Sequence, residues 1–284
     1  MRPAAVVLTS LSLVLVACGP AAPTPPQLSA TVFETRFDPP LGQLHLRVAN
    51  ESPDAVRVLS AELQTSAYPA ADGFDRPQTV PSGAARDLPI TLGTPDCADP
   101  DAALATATIR IYLESSDGSP QQLDLPLADA AVLAATIERD CRAAALASHV
   151  ALAPPAELLW TPGAGTPAVL EFIATATSSA GSATIHSVGP TTLLGIVDAA
   201  GTRATPLAIE LTIDARSATT TIPVRIVPAR CDPHAIAEDK QGTLIPFDVD
   251  TSEGAGGQVR IAVSDEVRAQ IYDFVTDFCA VTGG

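Results

Sequence analysis

This sequence of 284 residues predicts a mainly β protein: two tandem antiparallel sandwiches, each closed by a C-terminal helix that carries a disulfide. Three observations lead there. Cysteines frame two stretches of similar pattern, Cys97 with Cys141 and Cys231 with Cys279. Short alternating apolar segments separated by turn residues recur five times in the first unit and seven in the second, the spacing of an antiparallel sandwich. Before the second Cys of each pair, Leu133, Ile137, Cys141 and Ile271, Val275, Cys279 fall at i, i+4, i+8. That spacing puts two aliphatics and a thiol on one face of a helix.

The chain opens with Met1-Arg2, an apolar stretch over residues 4–16, and Leu15-Val16-Ala17-Cys18. A positive start, a short apolar core and small residues before a cleavage point make a secretory signal, too short to span a bilayer as a stable helix. With Cys18 directly after Leu-Val-Ala, the segment resembles a bacterial lipoprotein signal. The resemblance implies diacylglycerol transfer to the Cys18 thiol, cleavage before Cys18, and acylation of the freed amine. Residues 18–28 then form a tether rich in Pro20, Pro23, Pro25 and Pro26. In a polyproline conformation its nine residues 19–27 reach about 28 Å, at roughly 3.1 Å per residue.

The first unit covers 29–147. Its expected strands are 43–49, 56–63, 88–92, 106–114 and 123–127. The turn Asn50-Glu51-Ser52-Pro53-Asp54 follows the first of them, and Ser116-Asp117-Gly118 makes a hairpin between the last two. The second unit, 148–284, offers strands at 169–177, 184–188, 193–197, 207–213, 221–227, 244–249 and 258–263. Turns at Asp198-Ala199-Ala200-Gly201 and Glu253-Gly254-Ala255-Gly256-Gly257 punctuate them. The Ala-rich stretch 143–155 between the units ends in Pro154-Pro155 and lacks Gly/Ser flexibility, so a fairly fixed relation of the two is expected.

Aligning Cys97 on Cys231 brings further pairs into step, and the chain reads as one unit present twice. Leu88, Ile90, Leu92 match Ile222, Val224, Ile226; Asp99-Pro100 matches Asp232-Pro233; Leu123, Leu125, Leu127, Asp129 match Val259, Ile261, Val263, Asp265. Four cysteines beyond Cys18 allow three pairings, and the repeat favours Cys97–Cys141 and Cys231–Cys279. No Cys-x-x-Cys pair occurs, so both read as structural staples. The strand count looks like an immunoglobulin-like topology, although the Cys…Trp…Cys spacing of true immunoglobulin domains is missing. With the signal segment, the chain resembles envelope lipoproteins of high-GC Gram-positive bacteria that carry sandwich domains. The single Lys, Lys240, among many Arg accords with GC-rich coding.

Charge narrows the partners. The chain holds 16 Lys plus Arg against 32 Asp plus Glu, a net −16, and loss of residues 1–17 removes Arg2 as well. Such a balance repels phosphate backbones and anionic headgroups, so nucleic acid is excluded as an expected partner. Attachment to the bilayer then falls to the acylated Cys18.

Candidate chemistry is sparse. Asp232 as N-cap, Pro233 at the first position and Gly242 beyond the end outline a short helix on which His234 and Glu238 share a face. That is half of a metal site, or an ordinary helix-surface pair; no cofactor is expected. His45 alternates with Leu44 and Leu46 and is expected to face solvent, while His149 and His186 stand alone. No Gly-x-Ser-x-Gly, Walker-type or dinucleotide glycine motif occurs. Trp160 is expected in a core, as are Phe274 and Phe278, with Tyr272 more exposed.

The sequence therefore predicts a membrane-anchored, extracytoplasmic lipoprotein without catalysis, binding or positioning an envelope protein or ligand. Two alternatives stand beside it: capture of a small ligand or metal ion, and an envelope enzyme with a non-local site.

Overall fold

A computed structural model describes residues 25–114, 118–237, 239 and 241–283. The elements run β1 (Leu28–Phe33), a 3-10 turn (Pro39–Leu41), β2 (Gln43–Asn50), β3 (Val56–Gln64), β4 (Gln78–Val80) and β5 (Ala85–Thr91). Then come α1 (Pro100–Ala105), β6 (Thr108–Glu114), β7 (Pro120–Pro126), α2 (Ala131–His149), β8 (Val150–Ala153), β9 (Leu158–Leu159) and β10 (Ala168–Ala176). The chain continues with β11 (Ser182–Val188), β12 (Leu194–Val197), β13 (Arg203–Ala204), β14 (Leu207–Asp214) and β15 (Thr220–Pro228). It ends with α3 (Pro233–Ala237), β16 (Leu244–Thr251), β17 (Gly256–Ala262) and α4 (Asp265–Thr282). The protein is mainly β, with sandwich-type sheets, few helices and two disulfides.

Period-two patterning explains the strands. On β2, Leu44, Leu46 and Val48 are wholly buried while His45, Arg47 and Ala49 turn the other way. On β6, Ile109, Ile111 and Leu113 do the same. Each such side chain stabilises the fold by roughly 1.5–3 kcal/mol relative to exposure. The sheet β1-β2-β5 and the sheet β4-β3-β6-β7 close over one apolar core, reinforced by Leu133 and Ile137 of α2. A second core lies between β13-β12-β15-β10-β8 and β14-β11-β16-β17, with Ile271, Phe274 and Val275 of α4 packed into it. Phe172 on β10 meets Phe247 on β16 edge-to-face at 4.9 Å, joining the two sheets through one aromatic contact.

The pairings correspond strand for strand. Neighbours β1-β2-β5 in the first half match β8-β10-β15 in the second, and β4-β3-β6-β7 match β14-β11-β16-β17. The second half adds the β12–β13 hairpin on the outer edge of β15, and β9 beside β8 on β10. Cys97 is bonded to Cys141 and Cys231 to Cys279, with Cα–Cα distances of 5.7 and 5.5 Å. Each bridge joins the loop after an equivalent strand (β5 or β15) to the helix that follows the last strand of its half.

Several strands run where no alternation announced them: β1, β4, β8, β9 and β13. The larger departure concerns the stretch between the halves. The first closing helix was expected to end at Cys141, but α2 continues to His149 and passes directly into β8. The boundary expected between 147 and 148 thus falls inside a helix, and residues 143–153 are helix and strand rather than linker. Two faces of α2 are used. Ile137 and Leu146 lie nine residues apart, half a turn out of phase at 100° per residue; the former packs in the first core and the latter in the second. The expected hairpin at Ser116-Asp117-Gly118 lies largely outside the described residues.

The turn after β2 shows how polar groups are settled. Asn50, 1% exposed, donates from Nδ2 to the carbonyls of Asp54 (2.8 Å) and Val80 (3.0 Å), and its Oδ1 accepts from Ser52 N–H (2.9 Å). Replacing it with Ala strands those groups, and a buried group left unsatisfied costs about 1–3 kcal/mol. Asn50→Ala is expected to lower the unfolding free energy by that amount, read as a lower urea midpoint with an unchanged slope.

Candidate functional sites

The helix proposed to carry His234 and Glu238 is shorter than its sequence outline. It is described over Pro233–Ala237 and Asp239 is already beyond it, so Gly242 is no cap; Glu238 lies outside the described residues. Gly242 is small for a different reason: a Cβ there would sit 2.4 Å from Leu193 Cβ and 2.5 Å from Asp239 Oδ1. The Asp-Pro start is realised in the first half, where the Asp99 carboxylate accepts from Ala102 N–H at 2.9 Å and Pro100 opens α1. His234 is exposed. Among the described residues, no three His, Cys, Asp or Glu gather in a way that would hold a metal ion. Cys18 and the signal segment lie outside the described residues.

The other histidines have partners that sequence spacing did not suggest. His45 does not face open solvent. Its ring stacks on Phe33 at 4.9 Å, and Nε2 lies 3.3 Å from Oδ1 of the buried Asp38. It thereby pins the loop between β1 and β2. His149, the last residue of α2, is 5% exposed with neither ring nitrogen hydrogen-bonded among the described residues. Gly181, with φ +76°, approaches so closely that a Cβ would lie 2.5 Å from His149 Cε1. His149 thus packs the corner where α2 becomes β8.

His186 occupies a bulge where β11 slips register against both neighbours. Its Nδ1 is 3.1 Å from Glu210 on β14 and its Nε2 2.9 Å from Asp250 on β16. Glu210 itself has φ 51°, rare for a residue with a side chain. The hydrogen bond with Glu210, then that with Asp250, raise the His186 pKa above its usual value. With both nitrogens engaged, the imidazole has no lone pair to offer a substrate, so the trio acts as a staple across three strands. Because the folded pKa exceeds the unfolded one, the contribution is present below the unfolded value, about 6.5, and is lost as pH rises through the folded value. Melts of the wild type and His186→Gln are expected to differ at pH 5.5 and to converge at pH 9.

A second polar network was invisible in sequence. Arg139 on α2 donates to both oxygens of Glu34 (2.8 Å each) and to Asp140 (2.8 Å); the Tyr68 hydroxyl donates to Asp140 at 2.7 Å. Burial and the Asp140 carboxylate together push the Tyr68 hydroxyl far above the usual tyrosine range. Three separate segments meet here, which ties α2 to the first sandwich. In the second half, Tyr272 is half-buried rather than exposed and donates to Asp239 at 3.0 Å; burial first, then Asp239, push its pKa up to about 12. Trp160 is also half-buried and sits edge-on to Phe274 at 5.7 Å, beside the second core.

No protein family matches the chain, and no curated protein matches it. Solved structures with some likeness include the YadV chaperone, at 10% identity over 78% of this chain and 92% of that one with a TM-score of 0.21. The CBD12 segment of CALX1.2 matches at 13% identity over 75% of each chain, TM-score 0.21. The BSP domain of a biofilm associated protein matches at 9% identity over 86% of this chain and 59% of that one, TM-score 0.25. At such scores these likenesses carry no argument about function.

Proposed function

We propose that this protein is a membrane-anchored extracytoplasmic lipoprotein. Two tandem immunoglobulin-like sandwiches, each closed by its C-terminal helix, present loops and strand edges to another envelope component. The observation that carries the reading is α2. One helix is bonded to the first half through Cys97–Cys141, packs into both cores, and runs without a loop into β8. Such a joint suits a part that must hold two binding surfaces in one orientation. It is a less obvious need for a chain that only swings on its anchor.

Other features agree. Three strands facing four in the first half, and an equivalent set within the six-stranded and four-stranded sheets of the second, support the immunoglobulin-like reading. Two disulfides favour an oxidising compartment, and the Leu15-Val16-Ala17-Cys18 box supplies the anchor that a net charge of −16 cannot supply by attraction to anionic lipid. His45, His149 and His186 act as packing and stapling groups, which favours binding over catalysis as the role of the surface.

The test is crosslinking in live cells, followed by purification and mass spectrometry. The wild type is expected to retain a reproducible partner in the membrane fraction, and Cys18→Ser is expected to release both the chain and the crosslink. A turnover activity abolished by a single substitution in the folded protein would overturn the reading.

A further inference from the structure

A cleft shared by both halves gathers positive charge in an acidic chain. It has a volume of about 420 Å³ and lies between α2, the 3-10 turn after β1, and the β16–β17 pair. Three arginines line it, Arg139, Arg142 and Arg260, against one carboxylate, Asp140, although the whole chain is at −16. Their situations differ. Arg139 is matched by Glu34 and Asp140. Arg142 holds Glu138 at 2.5 Å with one arm and reaches the Gln258 carbonyl at 3.2 Å with the other. Arg260 faces only amide oxygens among the described residues, Gln258 Oε1 at 3.2 Å and Gln241 Oε1 at 3.0 Å. Gln241 is in turn held by the Arg36 carbonyl at 3.0 Å. A guanidinium with neutral partners keeps its full charge and its forked donors for a planar anion.

The rest of the wall is apolar. Pro39 and Pro40 come from the first half and Leu244 from the second. Pro40 and Leu244 continue into a neighbouring hollow flanked by Phe37 and Leu41, which are 46% and 61% exposed. Cationic head and apolar flank together match a small amphipathic anion, and the volume lies within the range of small-molecule sites. The charge selects among anions. Among the described residues Arg260 lacks a carboxylate partner while Asp140 and Glu138 stand close by, so a single anionic charge on Arg260 meets less repulsion than the two of a phosphate dianion.

We infer that this cleft binds a small organic monocarboxylate, with the carboxylate on Arg260 and Arg142 and the apolar body against Pro40 and Leu244. The inference is independent of anchoring and of any protein partner. Saturation-transfer NMR on the full chain tests it, with hexanoate as probe and hexanamide as its uncharged counterpart in the same detergent. The expected result is one saturable site for hexanoate, weakened at least tenfold in Arg260→Gln and by high salt, retained in Arg260→Lys within a few-fold, and unchanged in Arg86→Gln, which lies outside the cleft. Hexanamide is expected not to compete. Arg260 is exposed and bonded only to amides, so Arg260→Gln is expected to melt with the wild type, which separates loss of binding from loss of fold. No saturable hexanoate signal, equal binding of hexanamide, or binding indifferent to Arg260→Gln overturns it.

Discussion

Changing Cys231 and Cys279 together to serine is expected to destabilise the protein by about 4 kcal/mol, and changing Cys97 and Cys141 together by a similar amount. The pairs are 48 and 44 residues apart. In the chain-entropy view each bridge withholds from the unfolded ensemble the freedom of a loop of that length. Measured values often fall lower, yet even 2 kcal/mol is a large share of the 5–15 kcal/mol typical of a folded domain. The cores explain why the bridges matter. They are built chiefly from Val, Ile, Leu and Ala, with Tyr68, Phe172, Phe247 and Phe274 the bulkiest side chains fully buried. Each bridge also fixes one of the two long helices, α2 or α4, to its own half. Urea denaturation of the two double variants measures the loss, and a shift below about 1 kcal/mol in both would contradict this account of the staples.

Proline at Ala144 is the second large effect. Ala144 lies inside α2, between the part that packs on the first core at Leu133 and Ile137 and the part that packs on the second at Leu146. Proline removes a helix hydrogen bond and its ring collides with the carbonyl four residues earlier, that of Asp140, at a cost of about 3 kcal/mol or more. The damage falls on the joint rather than on either sandwich. The expected outcome is therefore uncoupling: two calorimetric transitions where the wild type gives one, and a larger radius of gyration in solution scattering. Ala144→Gly, which costs only about 1 kcal/mol of helix propensity, is expected to keep a single transition. One transition and an unchanged radius in the proline variant would show that α2 does not hold the halves together.

Several of the strands legible in the sequence have one wet and one buried face, although the wholly buried β12 was legible too. The alternation of Leu44, Leu46 and Val48 survives as β2 almost to the residue, as does that of Ile109, Ile111 and Leu113 in β6. Strand β1, Leu-Ser-Ala-Thr-Val-Phe, carries small residues where an apolar stripe would announce it, and it forms because β2 offers a free edge. Strand β8, Val-Ala-Leu-Ala before two prolines, has the composition of a helix end and becomes a strand by pairing with β10. The overrun of α2 was hidden for a related reason. Its apolar stripe changes face after Cys141 because its packing partner changes, so a single period loses it.

Sites were harder to read because they are assembled across distance. His186 meets partners 24 and 64 residues away, and Arg142 reaches a carbonyl 116 residues away. The pair singled out on local spacing, His234 with Glu238, belongs to a short helix described over Pro233–Ala237, and Glu238 lies outside the described residues. Spacing along a chain reports one element; the arginine cleft needs two halves and the helix between them.

Intact-mass spectrometry of the protein extracted from the membrane fraction of its own cells tests the anchoring most directly. The account predicts a chain that begins at Cys18, lacks residues 1–17, and carries the added mass of a diacylglyceryl group, with or without a further acyl chain on the amine. A chain beginning at another residue, or at Cys18 with an unmodified thiol, would contradict it.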